Sequence, residues 1–200
     1  MKHIIKIILF FIFTSSCSAQ THTLDISDQG WKYENGAYYE DQNNLLDPFA
    51  GTYLYTDGNT SLKIVLQKKT VSTPPNQVYY EDLIIGEYQY IKNGVQLANT
   101  LGRLNYIKPD GNDYSISGNN VVTNAGLCRD CGPNEKALKL TFVDDITENY
   151  ALIFLIRRVV ENGQPAIKIN LRWGSRTHIK GTPSLPSPNI PGGEYILKKI

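Results

Sequence analysis

One stretch of the sequence decides the fold: Leu46-Asp-Pro-Phe-Ala-Gly-Thr-Tyr-Leu-Tyr-Thr-Asp-Gly-Asn-Thr-Ser-Leu-Lys-Ile-Val-Leu-Gln67. In its second half, Leu62, Ile64 and Leu66 share one face of an extended chain, and polar residues alternate with some of them on the other face. This period-two alternation is typical of a half-buried strand. The Asp-Gly-Asn run at 57–59 has the chemistry of a tight hairpin turn. The stretch therefore predicts two antiparallel strands joined by that turn.

The same pattern recurs along the rest of the chain. A second hairpin is predicted from Tyr150–Val160 and Ala166–Trp173, joined by the Glu-Asn-Gly turn at 161–163. Other strands are predicted at 79–91, 95–101, 114–117, 137–142 and 194–197, and Gly86 indicates a bulge or bend inside the longest of them. About eight or nine strands and no helix longer than a turn or two indicate an all-β fold. An up-and-down barrel and an open sandwich both fit, and a barrel is favoured because it leaves no exposed edges.

The N-terminus has the order of a secretory signal. Lys2 and Lys6 supply positive charge, the run 7–13 is apolar, and small residues then lead into Cys17. The apolar run is too short to span a bilayer. Residues 1–16 are therefore predicted to be a signal peptide that is removed from the mature protein.

Cys17 sets the expected location of the mature chain. Thr14-Ser-Ser-Cys17 resembles a lipobox, in which the processed cysteine becomes the new N-terminus and carries acyl chains. The alternative is ordinary cleavage after Ala19, which makes 1–19 the signal and leaves a soluble periplasmic or secreted protein. We expect an envelope protein that is lipid-anchored in the membrane and faces the periplasm.

The mature chain has the size of one domain and almost no net charge. Residues 17–44 are polar and short of aliphatic residues, which predicts a tether, and residues 45–200 are predicted to form a single β domain. Without Lys2 and Lys6, the 20 basic residues become 18 against 19 acidic ones. This balance gives no electrostatic footprint for nucleic acid, so no nucleic-acid partner is expected.

In the mature chain, the two cysteines of Cys128-Arg-Asp-Cys131 are the strongest candidates for a chemical role. In an oxidising compartment, two thiols at this spacing predict a small structural disulfide that pins a loop. A redox dithiol and half of a zinc site are the alternatives. Glycines and a proline around the pair indicate a loop between strands rather than the strand-to-helix junction of a redox motif.

No reaction can be assigned from the remaining polar residues. His22 and His178 show no metal-ligand spacing, so no metal and no cofactor are expected. A nucleophile elbow of the Gly-x-Ser-x-Gly kind does not occur, and His178 follows a strand in a polar stretch typical of a loop. Asp144 and Asp145 are interpreted as turn residues at a strand end. Arg157 and Arg158 are neighbours on one strand, which predicts one solvent-facing charge and one inward or edge charge.

Two tyrosine pairs carry the ligand hypothesis. Tyr53 and Tyr55 share one face of the first strand of the domain, and Tyr88 and Tyr90 share one face of the third. If those strands line a cavity, their rings and hydroxyl groups would suit a carbohydrate or a small apolar ligand. Packing across neighbouring strands is the alternative role for the same residues.

Three segments support a family resemblance: Leu46-Asp-Pro-Phe-Ala-Gly-Thr-Tyr53, Tyr80-Glu-Asp-Leu-Ile-Ile-Gly-Glu-Tyr-Gln-Tyr-Ile-Lys-Asn-Gly94 and the ending Ile196-Leu-Lys-Lys199. They resemble an uncharacterised family of short exported lipoproteins of Bacteroidota, a domain of unknown function. The resemblance implies export and a β-rich domain, and it transfers no catalytic residue. Phe49-Ala-Gly-Thr-Tyr53 is also similar to the Gly-x-Trp opening of lipocalin-like barrels, with Tyr in place of Trp.

Three functions are compatible with these features. The leading hypothesis is a non-enzymatic envelope domain that binds a small apolar or carbohydrate ligand or an envelope protein. The first alternative is an envelope hydrolase whose site is assembled from distant residues. The second is a structural or assembly lipoprotein that contacts a partner through a sheet edge by strand addition.

Overall fold

The structure is a computed structural model of the chain, and it describes residues 22–28, 33–72, 79–106, 113–123, 131–132, 134–144, 146–174 and 186–200. These residues form eleven strands and three short 3-10 turns. The strands are β1 (Thr23–Asp25), β2 (Tyr38–Glu40), β3 (Gly51–Asp57), β4 (Thr60–Ser72), β5 (Tyr80–Lys92), β6 (Val95–Asn99), β7 (Ile116–Thr123), β8 (Lys136–Asp144), β9 (Asn149–Glu161), β10 (Gln164–Trp173) and β11 (Gly193–Lys199). The 3-10 turns are η1 (Ile26–Asp28), η2 (Asp47–Phe49) and η3 (Leu101–Asn105).

Eight of the strands close into an antiparallel barrel in the order β5-β4-β3-β11-β10-β9-β8-β7, with β7 pairing back onto β5. The all-β prediction is confirmed, and of its two architectures the structure has the barrel. β1, β2 and β6 lie outside the ring, where β2 and β6 pair with β5 and β1 pairs with β2. The C-terminal strand β11 lies between β3 and β10, so strands from both halves of the sequence complete the ring.

The hairpin turns follow from local chemistry. Asn93-Gly94 and Asn162-Gly163 both have positive φ at their two central residues, at 52° and 80° and at 51° and 77°. This conformation suits Asn and Gly and matches the twist of the flanking strands. The predicted β3–β4 and β9–β10 hairpins are confirmed, with Tyr55 opposite Leu62 in the first and Gln164 opposite Glu161 in the second.

Gly86 lies where the backbones of β5 and β4 approach each other closely. Its pairing with Leu66 in β4 is continuous with that of its neighbours. A Cβ atom at this position would lie 2.6 Å from Leu66 Cδ2 and 2.8 Å from the carbonyl oxygen of Val65. The sequence predicts a bulge or bend at Gly86; the register shows no bulge there, and the irregularity of β5 lies at Tyr90 and Ile91, where β6 pairs. Glycine is required at position 86 for space.

The barrel interior is a packed hydrophobic core. Every strand of the ring contributes alternate residues to it, among them Tyr53, Leu62, Leu66, Tyr88, Ile116, Leu138, Phe142, Phe154, Ile169 and Leu197. At one end, which we call the η2 end, Leu46 and Phe49 add to the core as the chain enters β3. At the other end, which we call the Asp144 end, Ile190 adds to it. Both ends are therefore covered by chain outside the strands.

Part of the segment 17–44 packs into this fold. Ile26, Ala37 and Tyr39 are buried in the core, and β1 and β2 extend the sheet beside β5. Alternation is hard to detect here because each strand has only three residues. Within the described residues, no helix has the length and apolar character needed to span a membrane.

Candidate ligand-binding site

All four tyrosines of the ligand hypothesis lie on the inner face of the barrel. Tyr53, Tyr88 and Tyr90 are buried in the core, and Tyr55 packs against it half-buried. Tyr55 forms an edge-to-face pair with Tyr195, with ring centroids 5.2 Å apart. The strands that carry the two pairs are not adjacent, because β4 lies between β3 and β5. Of the four residues, Tyr53 lines an open cleft.

We call this cleft the Arg158 cleft. It has a volume of about 400 Å³ and lies at the η2 end, between η2, the β9–β10 hairpin and the end of β11. Its walls combine apolar and cationic side chains, among them Pro48, Tyr53, Arg158, Val160, Pro165 and Lys199. The cleft is therefore an apolar concavity with two positive charges.

Both cations of the Arg158 cleft are held against aromatic rings. The guanidinium carbon of Arg158 lies 5.9 Å from the centroid of the Phe49 ring, and Nζ of Lys199 lies 5.7 Å from the centroid of the Tyr53 ring. Lys199 Nζ also donates a hydrogen bond of 2.9 Å to the carbonyl of Ala50. Cation–π contacts at these distances hold the charged groups without neutralising them.

Because Gly51 has no side chain, it leaves room for the side chain of Lys199. A Cβ atom at position 51 would lie 2.6 Å from Lys199 Cε, and the φ of Gly51 is +153°. The hydroxyl of Tyr53 is held beneath by a 3.0 Å hydrogen bond that it donates to the carbonyl of Phe49. Burial raises the pKa of Tyr53, and the charge of Arg158 opposes that rise. Tyr53 is thus a neutral, fixed wall of the cleft.

No carboxylate among the described residues forms an ion pair with Arg158 or Lys199. An arginine guanidinium presents donors in a planar fork that matches a carboxylate or a phosphate, and a lysine ammonium adds a point charge. Chemically, the Arg158 cleft can therefore bind an anionic group and cover an attached apolar group.

A second cleft, the β7 cleft, lies between η1 and the C-terminal half of β7 and has a volume of about 560 Å³. Its lining is more polar and includes Ser27, Tyr33, Asn119, Val121, Thr123 and Lys136. The side-chain amide of Asn119 donates to the Glu81 carboxylate at 2.9 Å and to the Asp82 carbonyl at 3.0 Å. These bonds hold β7 to the start of β5.

A buried polar network fastens residues 37–49 to the barrel. Asp82 accepts hydrogen bonds from the Tyr38 hydroxyl at 2.8 Å, the Thr70 hydroxyl at 2.6 Å and the amide of Asp41 at 3.1 Å. Lys68 Nζ lies 2.9 Å from the Asp41 carboxylate and 3.0 Å from that of Asp47. Burial lowers the pKa of Lys68, but the two aspartates outweigh this effect and leave it raised. The paired and satisfied carboxylates have a structural role here.

Cys131 is disulfide-bonded, and its sulfur accepts a 2.9 Å hydrogen bond from the buried guanidinium of Arg157. The same guanidinium lies 3.5 Å from the Glu135 carboxylate. The predicted partner Cys128 lies outside the described residues, so the Cys128–Cys131 pairing stays a prediction. Arg157 is thus buried on the outer face of β9, where it contacts Cys131 and Glu135, whereas Arg158 is exposed.

Other residues singled out in the sequence also lie outside the described part of the chain. These are Cys17, Asp145 and His178. Within the described residues, no group of three or more His, Cys, Asp or Glu side chains is placed to hold a metal ion.

Sequence reasoning missed two features of the site region. The first is the Arg158 cleft, because adjacent arginines on a strand give no sign of which one meets a cavity. The second is Asp144, which continues the inward alternation of Leu138, Leu140 and Phe142 and is buried, so the pattern did contain a signal for it.

Comparisons with known proteins place the chain in a family without naming an activity. Comparisons with curated proteins and with solved structures find no match. A family model described as a family of unknown function, DUF6705, matches residues 1–200. Because the match covers the whole chain, the protein belongs to the DUF6705 family.

Proposed function

We propose that the protein is a non-enzymatic ligand-binding domain of the bacterial cell envelope and that the Arg158 cleft holds a small anionic amphiphile. The observation that carries the proposal is the placement of two cations, Arg158 and Lys199, on the walls of one apolar cleft. Neither forms an ion pair with a described carboxylate. A carboxylate or phosphate that carries a short alkyl or aromatic group would satisfy both parts of the cleft.

The energetics of binding favour a ligand that has both an anionic group and an apolar group. Two exposed cations alone would bind a small anion weakly, because water screens exposed charges. Covering the exposed Val160 and Pro165 with an apolar group adds about 25 cal/mol for each Å² removed from water. It also displaces water from around the charged pair, which strengthens the attraction.

The test measures binding of octyl phosphate and octanoate to the purified chain by calorimetry, with octyl glucoside as the neutral ligand and inorganic phosphate as the ligand without an apolar part. We expect octyl phosphate to bind more tightly than either of these two probes. Arg158→Gln and Lys199→Gln should each weaken it about tenfold or more, since a hydrogen bond to a charged group contributes about 1.5–3 kcal/mol. The matched control is Arg172→Gln, which changes an exposed arginine outside the cleft.

Two results would count against the proposal. One is binding of octyl glucoside as tight as that of octyl phosphate. The other is octyl phosphate binding that Arg158→Gln and Lys199→Gln leave at the level of Arg172→Gln. If none of the probes binds, the Arg158 cleft is not a site for this class of ligand.

The envelope location is a separate part of the proposal, and it rests on the order of charge, apolar length and small residues before Cys17. Mass spectrometry of the chain after expression in a bacterial host checks it. We expect an N-terminus at Cys17 with the added mass of acyl chains, and no such mass in Cys17→Ser. An N-terminus at Gln20 would show ordinary cleavage and a protein without the anchor.

A further inference from the structure

The barrel is closed by the pairing of β7 with β5, which we call the seam, and this pairing is short. β4 pairs with one edge of β5 along nearly its whole length, from Tyr80 to Ile91. Three strands share the opposite edge in turn: β2 pairs with Tyr80 and Glu81, β7 with residues 84–86, and β6 with residues 89–92. β7 therefore meets β5 through three residue pairs and then continues beyond it.

Past this seam β7 has a partner on one side only. Residues 120–123 pair with β8, opposite residues 136–139. The register shifts between Ser117 and Asn120, and Gly118 within that interval has a φ of +141°. A bulge of this kind bends a strand and increases its twist. The side-chain amide of Asn119 still bonds to the start of β5, but among the described residues no strand pairs with the other edge of the Asn119–Thr123 backbone.

Four of the five residues of this stretch line the β7 cleft: Asn119, Asn120, Val121 and Thr123. A row of backbone N–H and C=O groups at strand spacing is complementary to another extended chain. A compact ligand cannot match that repeat over five residues. Barrels normally remove such edges by closure. The exposed edge in a polar cleft is therefore a template for strand addition.

Charge adds a preference for the added strand. Among the described residues, Lys136 is the one charged side chain that lines the β7 cleft, and it forms no ion pair with any of them. Thr123 adds a neutral polar group, whereas the amide of Asn119 and the hydroxyl of Ser27 are already bonded within the chain. A carboxylate on the incoming peptide would meet Lys136, whereas a basic side chain there would be repelled.

We propose that the edge of β7 at Asn119–Thr123 binds an extended peptide segment of a partner protein by β-strand addition, with an acidic side chain of the peptide placed at Lys136. The segment would add backbone hydrogen bonds to β7 and fill the space beside η1. This interaction surface is separate from the Arg158 cleft, so it stands or falls independently of the proposed small ligand.

The test begins with a phage-displayed library of random eight-residue peptides selected on the purified chain. Selected peptides are synthesised and titrated into the ¹⁵N-labelled chain. We expect the largest amide shifts at residues 119–123, slower hydrogen exchange of amides in that stretch on peptide binding, and enrichment of Asp or Glu in the selected sequences. N-methylation of alternate peptide amides should weaken binding at least tenfold, because it removes the donors that a ladder needs.

A chain variant tests the charge preference. Lys136→Gln should weaken an acidic peptide several-fold and leave its alanine-substituted version unchanged, and Lys92→Gln, at an exposed lysine at the far end of β5, is the matched control. Selection of peptides that shift residues elsewhere would overturn the proposal. The proposal would also be overturned if selected peptides keep their affinity whichever of the two sets of alternate amides is N-methylated. A library that yields no binder at this edge would have the same consequence.

Discussion

The hydroxyl of Tyr88 donates a 2.8 Å hydrogen bond to the carboxylate of Asp144 inside the barrel, and both side chains are fully buried. The same carboxylate accepts the amide of Ile146 at 3.2 Å and the amide of Asn189 at 2.8 Å. Burial and the Asp144 carboxylate raise the pKa of Tyr88 far above its ordinary value. One buried acid therefore joins β5, the β8–β9 turn and the segment that covers the Asp144 end.

Tyr88→Phe should destabilise the chain by about 1–3 kcal/mol, because it removes one of three donors from a buried carboxylate that water cannot reach. For a domain of this size, we expect a fall in Tm of about 2–4 °C for each kcal/mol. The control is Tyr80→Phe, at an exposed position of the same strand, which should change Tm little. If Tyr88→Phe and Tyr80→Phe lose the same free energy of unfolding in urea, the hydrogen bond to Asp144 contributes nothing specific.

Tyr195 makes the chain sensitive to alkaline pH. Burial, and then the neighbouring Tyr90 and Tyr55, raise its pKa to about 12 from 10.0. Below about pH 10 the hydroxyl is protonated in both the folded and the unfolded chain. Between about pH 10 and pH 12 the unfolded chain loses the proton first, so the folded state is progressively disfavoured as the pH rises.

Urea unfolding at pH 9 and at about pH 11.5 measures this contribution. We expect Tyr195→Phe to lose less free energy of unfolding across that interval than the unmodified chain does. Absorbance titration of tyrosinate should show one group fewer in the most alkaline phase of the variant. Tyr150→Phe, at an exposed position, is the control. If both variants lose as much as the unmodified chain, Tyr195 does not carry the effect.

Lys68 is the cation that holds residues 37–49 on the barrel. Lys68→Met leaves the fully buried Asp41 carboxylate with the amides of Leu45 and Leu46 as its donors. Breaking a buried pair by removing one partner costs about 3–5 kcal/mol, and the partial exposure of Lys68 places the expected loss near the lower value.

The local consequence of Lys68→Met separates this role from general destabilisation. Hydrogen exchange of amides in residues 37–49 should accelerate more than exchange in β9 and β10. The matched control is Lys63→Met, five residues earlier on the outer face of β4. Uniform acceleration across the barrel, or the same response in both variants, would contradict the fastening role of Lys68.

The sequence predicts the local parts of this fold well because their causes are local. Leu62, Ile64 and Leu66 alternate over a short run and are all in the core, and the Asn-Gly turns adopt the positive φ values that their chemistry favours. The all-β class follows from many such segments, whereas the same segments fit a barrel and a sandwich equally well. What the sequence does not contain is the order of strands around the ring.

Barrel closure is non-local. β11 inserts between β3 and β10, about 140 residues after β3 in sequence, and β7 meets β5 through three residue pairs. The prediction of a strand at 114–117 stops before Asn119–Thr123, because the polar residues there have no alternation that marks a strand. The β7 edge was missed for that reason. The Arg158 cleft was missed because it forms between segments that are distant in the chain.

Gly86→Ala tests the closest backbone approach in the barrel. The added methyl group would lie 2.6 Å from Leu66 Cδ2 and 2.8 Å from the backbone oxygen of Val65. The side chain of Leu66 can rotate, but the backbone of β4 must move, and overpacking of this kind costs about 1–3 kcal/mol.

For Gly86→Ala we expect a lower free energy of unfolding in urea and faster hydrogen exchange at residues 116–118, since these face residues 84–86 across the seam. Gly102→Ala is the control, because an added Cβ there meets no atom within 4 Å. A Gly86→Ala chain as stable as Gly102→Ala would mean that β4 and β5 have room to separate, and that the seam with β7 tolerates the shift.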